Sequence, residues 1–270
     1  MDLHNIETYL KPNHIRDLPP WETGWAWLAG GTWLFSEAQP ELTTLVDMQM
    51  LGWNELEEDE NGLLIGATCT MSQLLAFNYP PQWQAFKALC SAAHELASFK
   101  VQNTATIVGN LCLALPASTF APVMLVLNAH YELQSLSGDR RIVSASDFQT
   151  GAKQTILRHG EVVRSIRIPA TTLQWPVSYR RICVATAGIA VSIVVAAHDI
   201  KNGTVRFGIG GCLPHPELVT FADPPTSLDL RDGLARQIPI DCFIDDETAS
   251  ARYRHHVTAV LMERSLQEIC

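Results

Sequence analysis

The 270-residue chain is predicted to be an α+β protein in two parts, a larger domain over 1–175 and a smaller one over 176–270. Three observations carry that reading. Residues 1–175 alternate between short strand-like runs and segments with helical apolar spacing. The pattern breaks over 169–176, between Pro169 and Pro176, where Thr171, Thr172 and Gln174 carry no periodicity. Beyond the break, two β-branched runs flank Asn202-Gly203, a hairpin turn signal, and a last apolar-periodic segment reads as a helix.

Residues 5–55 read as a helix or loop followed by two short strands, 25–29 and 43–47. Trp83, Phe86, Cys90, Ala93 and Ala97 recur at steps of three and four, which predicts a helix over 83–97 with one apolar stripe on the core. A short apolar helix over 122–128 follows, with Ser118 or Thr119 available to cap its start. Strands over 130–135 and 141–145 flank the turn Ser137-Gly138-Asp139. A strand over 162–168 is predicted with Val162, Ile166 and Ile168 on one face and Ser165 and Arg167 on the other. The smaller part is a hairpin of 188–197 and 205–209 plus a helix that buries Tyr253, Val257, Val260 and Leu261.

Net charge is −9 and no basic run or basic-aromatic stripe exists, which argues against a nucleic-acid partner. Apolar residues are 47% of the chain and charged residues 17%, a balance that suits a subunit covered by partners. The first residues, Met1-Asp2-Leu3-His4-Asn5, lack the cationic start and apolar run of a signal peptide. No Asp, Glu, Lys or Arg occurs from Gln102 to Tyr131, but Asn103, Gly109, Asn110, Pro116 and Pro122 divide the stretch, so no membrane span is read there. Seven cysteines without a Cys-x-x-Cys pair read as buried small hydrophobes in a reducing, cytoplasmic compartment rather than as metal or iron–sulfur ligands.

Two glycine turns carry the chemistry. Leu28, Ala29, Gly30, Gly31, Thr32, Trp33 and Leu34 follow an apolar run, and Ala105, Thr106, Ile107, Val108, Gly109 and Asn110 lie in the uncharged stretch. Glycines let backbone N–H groups approach an anion closely, and small hydroxyls orient it, so phosphate can be held without lysine or arginine. The pair points to a large dinucleotide held between two loops. Other motifs fail on their own terms. His94-Glu95 begins like a zinc-protease helix, but Ser98 stands where the second histidine belongs. Gly208-Ile209-Gly210-Gly211 resembles a nucleotide fingerprint, yet it ends in Leu213 and follows a hairpin strand. No nucleophile with a neighbouring base is present in local sequence, and no catalytic or metal-ligating side chain is nominated.

In order and residue type, the two turns resemble those of the FAD-binding medium subunits of molybdenum hydroxylases, the xanthine dehydrogenase and carbon monoxide dehydrogenase flavoprotein type. There the turns read AGGTDL and ATIGGNL, the second followed by a small-residue segment like Leu113 to Thr119 here. Leu64 to Met71, Asp147 to Gly151, Leu157 to Pro169, Gly210-Gly211-Cys212 with Pro216, and Tyr253-Arg254 with Leu261 and Arg264 are similar to further family segments in the same order.

The resemblance implies a two-lobed FAD-binding domain, vanillyl-alcohol-oxidase/PCMH-like, with a smaller C-terminal domain. It implies that both turns bind FAD, that Ser118 and Thr119 lie by the adenosine side, and that Val162, after Glu161, lines the cofactor. It further implies partners, namely a molybdopterin-binding large subunit and a small subunit with [2Fe–2S] clusters, from which this chain passes electrons to NAD or oxygen. Four positions depart from the family: Trp33 for a polar residue, Gln102 for arginine, Val108 for glycine and Thr119 for aspartate. Val108 is expected to crowd the phosphates, since a β-branched residue resists positive φ. A second reading therefore stays open, a non-catalytic assembly subunit of the same fold with weakened or lost FAD binding.

Overall fold

A computed structural model of the chain describes residues 3–96, 98–185 and 188–270. It is α+β throughout. β1 (Thr8–Leu10), β2 (Trp25–Leu28) and β3 (Thr44–Asp47) form a small sheet in which β3 is central and both pairings are parallel. β4 (Leu56–Asp59) and β5 (Gly62–Gly66) lead into a run of short helices. These are α1 (Met71–Ala76), α2 (Phe86–Leu96), α3 (Phe99–Gln102), α4 (Ile107–Leu113) and α5 (Ala121–Val126).

The chain returns through β6 (His130–Gln134), β7 (Arg140–Ser144), α6 (Ala145–Phe148), the small hairpin β8 (Gln149–Gly151) with β9 (Gln154–Thr155), and β10 (Val162–Pro169). A five-stranded antiparallel sheet results, ordered β4-β5-β10-β6-β7. After α7 (Ala170–Leu173) comes a second antiparallel sheet of β11 (Val177–Cys183), β12 (Ala190–His198), β13 (Val205–Gly210) and β14 (Glu217–Phe221), then α8 (Ser227–Gln237) and α9 (Ala251–Ile269).

β12 reads as a continuous apolar run because both of its faces are covered. Ile193, Val195 and Ala197 join the core of the first 173 residues, while Val194 and Ala196 pack with α9 and its neighbours. The core thus runs across the predicted boundary near residue 175. α5 lies on β12 and β13. That approach explains the glycines of 208–211: a Cβ on Gly208 would stand 2.2 Å from the Pro122 carbonyl oxygen, and one on Gly210 would stand 2.7 Å from the Pro122 ring.

Several expectations change in detail. The smaller part is a four-stranded sheet with two helices, not a hairpin with one. β11 was hidden by its two arginines, and α8 begins at a capping box in which Thr226 and Asp229 bond each other's backbone. α2 starts at Phe86 and buries Phe86, Leu89, Ala92 and Ala93, leaving Cys90 half-buried; Ala97 lies outside the described residues.

α9 is rotated so that Arg254, Val257, Leu261 and Met262 face inward and Tyr253 faces solvent. A β-bulge between Val163 and Ser165 moves Val162 to the Ser165 and Arg167 face of β10, opposite Ile166. Among the cysteines, Cys69 and Cys212 are buried, but Cys242 and Cys270 are exposed.

Candidate cofactor-binding cleft

The two glycine turns meet. Gly30 lies against the backbone of Thr104, where a Cβ would be 2.0 Å from the carbonyl oxygen, so only glycine lets the segments touch. Gly31 has φ of +67°, the left-handed region, which turns the chain into a single helical turn closed by the Phe35 N–H on the Gly31 carbonyl (2.9 Å). Among the described hydrogen bonds, none uses the backbone N–H of Gly30, Gly31, Thr32, Trp33 or Leu34. Five consecutive unspent donors around a left-handed glycine make a concavity suited to an anion.

The second turn behaves differently from its expectation. It is the start of α4, with Thr106 as N-cap. The Gly109 N–H is spent on Thr106 Oγ1 (3.0 Å), that of Asn110 on the Thr106 carbonyl (3.1 Å) and that of Ile107 on the Cys69 carbonyl (3.3 Å). It therefore offers no converging N–H cradle. Its contribution is a bare glycine surface beside the cap and the Asn110 amide, whose Oδ1 accepts from Ser118 Oγ at 2.7 Å. That bond aims the amide.

Between the turns lies a chamber of about 430 Å³. Ala29, Gly30, Gly31, Thr32, Trp33 and Leu34 line one side, and Ala105, Thr106, Gly109 and Asn110 the other. Among the described residues, no charged side chain lines it. Burial pushes the thiol of Cys112 up to about 12, so it lines the wall as a neutral group. A second chamber of about 500 Å³ shares Leu96, Asn110 and Leu115 with the first, so the two are neighbours. Ser118 and Thr119 border this second chamber. So do Glu95 and Arg181, whose side chains meet at 2.6 Å and tie the end of α2 to β11.

Other predicted site residues lie elsewhere. Leu28, Ile107 and Val108 are buried and line neither chamber. Val108 sits inside α4 with helical backbone, so its side chain meets neither the positive φ nor the chamber wall that the expected crowding assumed. Val162 is buried within the five-stranded sheet and also lines neither chamber. Its neighbour Glu161 is held by Arg141 through two bonds of 2.8 and 2.7 Å, a structural pair.

Gln102 donates from Nε2 to the Ala93 carbonyl (3.2 Å), and Thr119 donates to the Ala92 carbonyl (2.8 Å), so both departures from the family pattern bind α2. Ser118, not Thr119, receives the Ala121 N–H at the start of α5 (3.3 Å).

Residues absent from the sequence reading also border the cleft. Trp27 lines the first chamber, stacks on Trp21 at 4.7 Å and keeps its indole N–H buried without a partner. Its alternation with Trp25 on β2 was a legible signal. Arg181 and Gly188 come from the far side of the chain, and no local pattern marks them.

A pair of neighbouring chambers with unspent backbone donors at one wall and small or apolar lining fits a dinucleotide whose diphosphate meets the donors and whose ring systems fill the chambers. Comparison with known proteins points to the same class of cofactor. The family described as "FAD binding domain in molybdopterin dehydrogenase" matches residues 8–171, more than half of the chain. The chain is 25% identical over 242 residues to the nicotine 6-hydroxylase medium subunit of Paenarthrobacter nicotinovorans, covering 86% of this chain and 83% of that one. It is 26% identical over 257 residues to the carbon monoxide dehydrogenase medium chain of Afipia carboxidovorans, covering 89% and 87%.

Against chicken xanthine dehydrogenase/oxidase it matches 176 residues at 27% identity and spans 13% of that protein. In fold, it matches a chain of reconstituted CO dehydrogenase from Oligotropha carboxidovorans with a TM-score of 0.86 at 22% identity, covering 100% of this chain and 99% of that one. Among the described residues, no helix is long and apolar enough to cross a membrane. The chain belongs to the molybdopterin-dehydrogenase FAD-binding family, a family of oxidoreductase subunits, and FAD is its cofactor.

Proposed function

We propose that this chain is the FAD-carrying electron-transfer subunit of a molybdopterin and iron–sulfur dehydrogenase complex. It receives electrons from [2Fe–2S] clusters and passes them to an acceptor such as NAD or oxygen. The observation that carries the reading is the row of unspent N–H groups from Gly30 to Leu34, on residues that line a chamber with a second chamber beside it.

In this reading the diphosphate rests on the 30–34 backbone with the Thr32 hydroxyl beside it, and Asn110, aimed by Ser118, orients the portion that passes between chambers. Ala105 and Gly109 keep the second wall shallow. Ser118 and Thr119, with the Glu95–Arg181 pair, border the space for the remaining ring system. Bound FAD supplies the redox chemistry, so the chain's work is to bind, orient and shield it, and no acid or base of its own is assigned.

The same reading extends to architecture and context. The parallel three-stranded sheet and the five-stranded sheet are taken as the two lobes of a PCMH-like FAD domain over 1–175, with 176–270 as the smaller domain. The names of the relatives as medium subunits favour a large molybdopterin subunit and a small iron–sulfur subunit as partners, in the cytoplasm. Val108, the departure that most favoured the scaffold reading, is buried in α4 and lines neither chamber.

An absorption spectrum of the purified chain, followed by acid release and chromatography of any flavin, tests the proposal. One equivalent of FAD is the expected result. A colourless protein that takes up no FAD on titration would sink it.

A further inference from the structure

Among the described residues the first chamber has no charged lining, yet on the reading just proposed its occupant carries two phosphates. Among the described residues, a lysine lies over the ring of one lining residue. Lys153 Nζ lies 5.1 Å from the centre of the Trp33 ring, and Trp33 lines the chamber. Lys153 forms the turn between β8 and β9 and has φ of +58°, a conformation that non-glycine residues adopt at a cost.

The turn is held there from two points. The Lys153 N–H donates to the Ala114 carbonyl at 2.8 Å, and the buried Gln149 donates from Nε2 to the Leu111 carbonyl, also at 2.8 Å. Both acceptors belong to the C-terminal end of α4, the helix whose Thr106, Gly109 and Asn110 form the opposite wall. The small hairpin, α4 and the first glycine turn are thereby one frame, with the lysine laid across the indole.

We propose that Lys153 is the counter-charge for the bound diphosphate, with Trp33 as the shelf that keeps it at the cleft. An ammonium on an indole face still has donors free to reach a phosphate oxygen, and its stem covers apolar surface on the way. The departure from the family pattern at Trp33 and the cation at Lys153 then act as a pair, supplying charge that the 30–34 backbone lacks. This inference rests on the FAD reading of the cleft.

The test is FAD titration of the flavin-free chain, wild type against Lys153→Gln and Lys153→Arg, at low ionic strength and at about 1 M salt, where the Debye length is about 3 Å. Glutamine keeps the same backbone demand at an exposed turn, so circular dichroism should match the wild type. At low salt K153Q should bind FAD about fivefold more weakly, the deficit should vanish at high salt, and K153R should restore affinity. Equal affinity of K153Q and wild type at low salt overturns the assignment, as does a deficit that salt does not change. Wild type that takes up no FAD removes the cofactor reading itself, and this one with it, which separates the two failures.

Discussion

Gly30 rests on the backbone of Thr104 so closely that a Cβ would stand 2.0 Å from the carbonyl oxygen and 2.8 Å from its carbon. The contact joins the end of β2 to the segment entering α4. It is why two turns far apart in the chain border one chamber. Van der Waals exclusion at this point makes the glycine a requirement of assembly, separate from any contact with ligand.

Gly30→Ala should therefore pry the two walls apart. Overpacking of this kind costs about 1–3 kcal/mol, and the first chamber loses its shape before the core does. Flavin-to-protein absorbance after purification should fall sharply while far-ultraviolet circular dichroism is kept. Full flavin content in G30A would show that the loops can separate without loss of the site.

Val108→Gly restores the residue type usual in the family, and it should harm rather than help. The side chain is buried in α4 and lines neither chamber. Its removal leaves a core cavity and puts glycine inside a helix, at a combined cost of about 2–4 kcal/mol. Urea denaturation should report that loss, with no rise in FAD affinity by titration.

The Arg141–Glu161 pair makes a specific pH prediction. The hydrogen bonds from the Arg141 guanidinium lower the Glu161 carboxyl below its ordinary value of 4.5, outweighing partial burial. A folded value below the unfolded one gives stability that is complete above 4.5 and drains away as pH falls through the folded value. Glu161→Gln should thus be less stable than wild type at neutral pH, and the gap in urea midpoint should narrow in acid. A gap independent of pH would mean that packing, not charge, is what the glutamate contributes.

Arg254, part of the C-terminal segment that resembles the family, ties the smaller part together. Its guanidinium donates to the Val191 carbonyl (2.8 Å), the Gly211 carbonyl (3.1 Å) and Asp246 (2.8 Å), and the residue is buried. Arg254→Met strands two buried carbonyls. With charged hydrogen bonds worth about 1.5–3 kcal/mol each, a loss of about 3 kcal/mol is expected in thermal or urea unfolding. FAD retention at low temperature should be unchanged, because Arg254 lines neither chamber.

What was legible in sequence was local. The Asn202-Gly203 turn joins β12 to β13 as read, the apolar run after Pro122 falls in a short helix, and the β-branched stretch at Ala190–His198 is a strand. Periodicity and turn chemistry decide such elements within a few residues of themselves. The two glycine turns and their resemblance to one family were legible for the same reason, since the backbone demands of Gly30 and Gly31 leave few substitutes.

Tertiary structure alone decided what those elements meet. One bulge in β10 turned Val162 away from the face that alternation assigned it. The helix cap at Thr106 consumed the N–H groups that the glycine pattern offered to a ligand. Thr119 was spent on Ala92, Arg181 reached across to Glu95, and Lys153 came to lie on Trp33. Each depends on which backbone and side-chain groups close packing brings within hydrogen-bond or ring distance, and a donor already satisfied inside the fold reads the same in sequence as one left open for a cofactor.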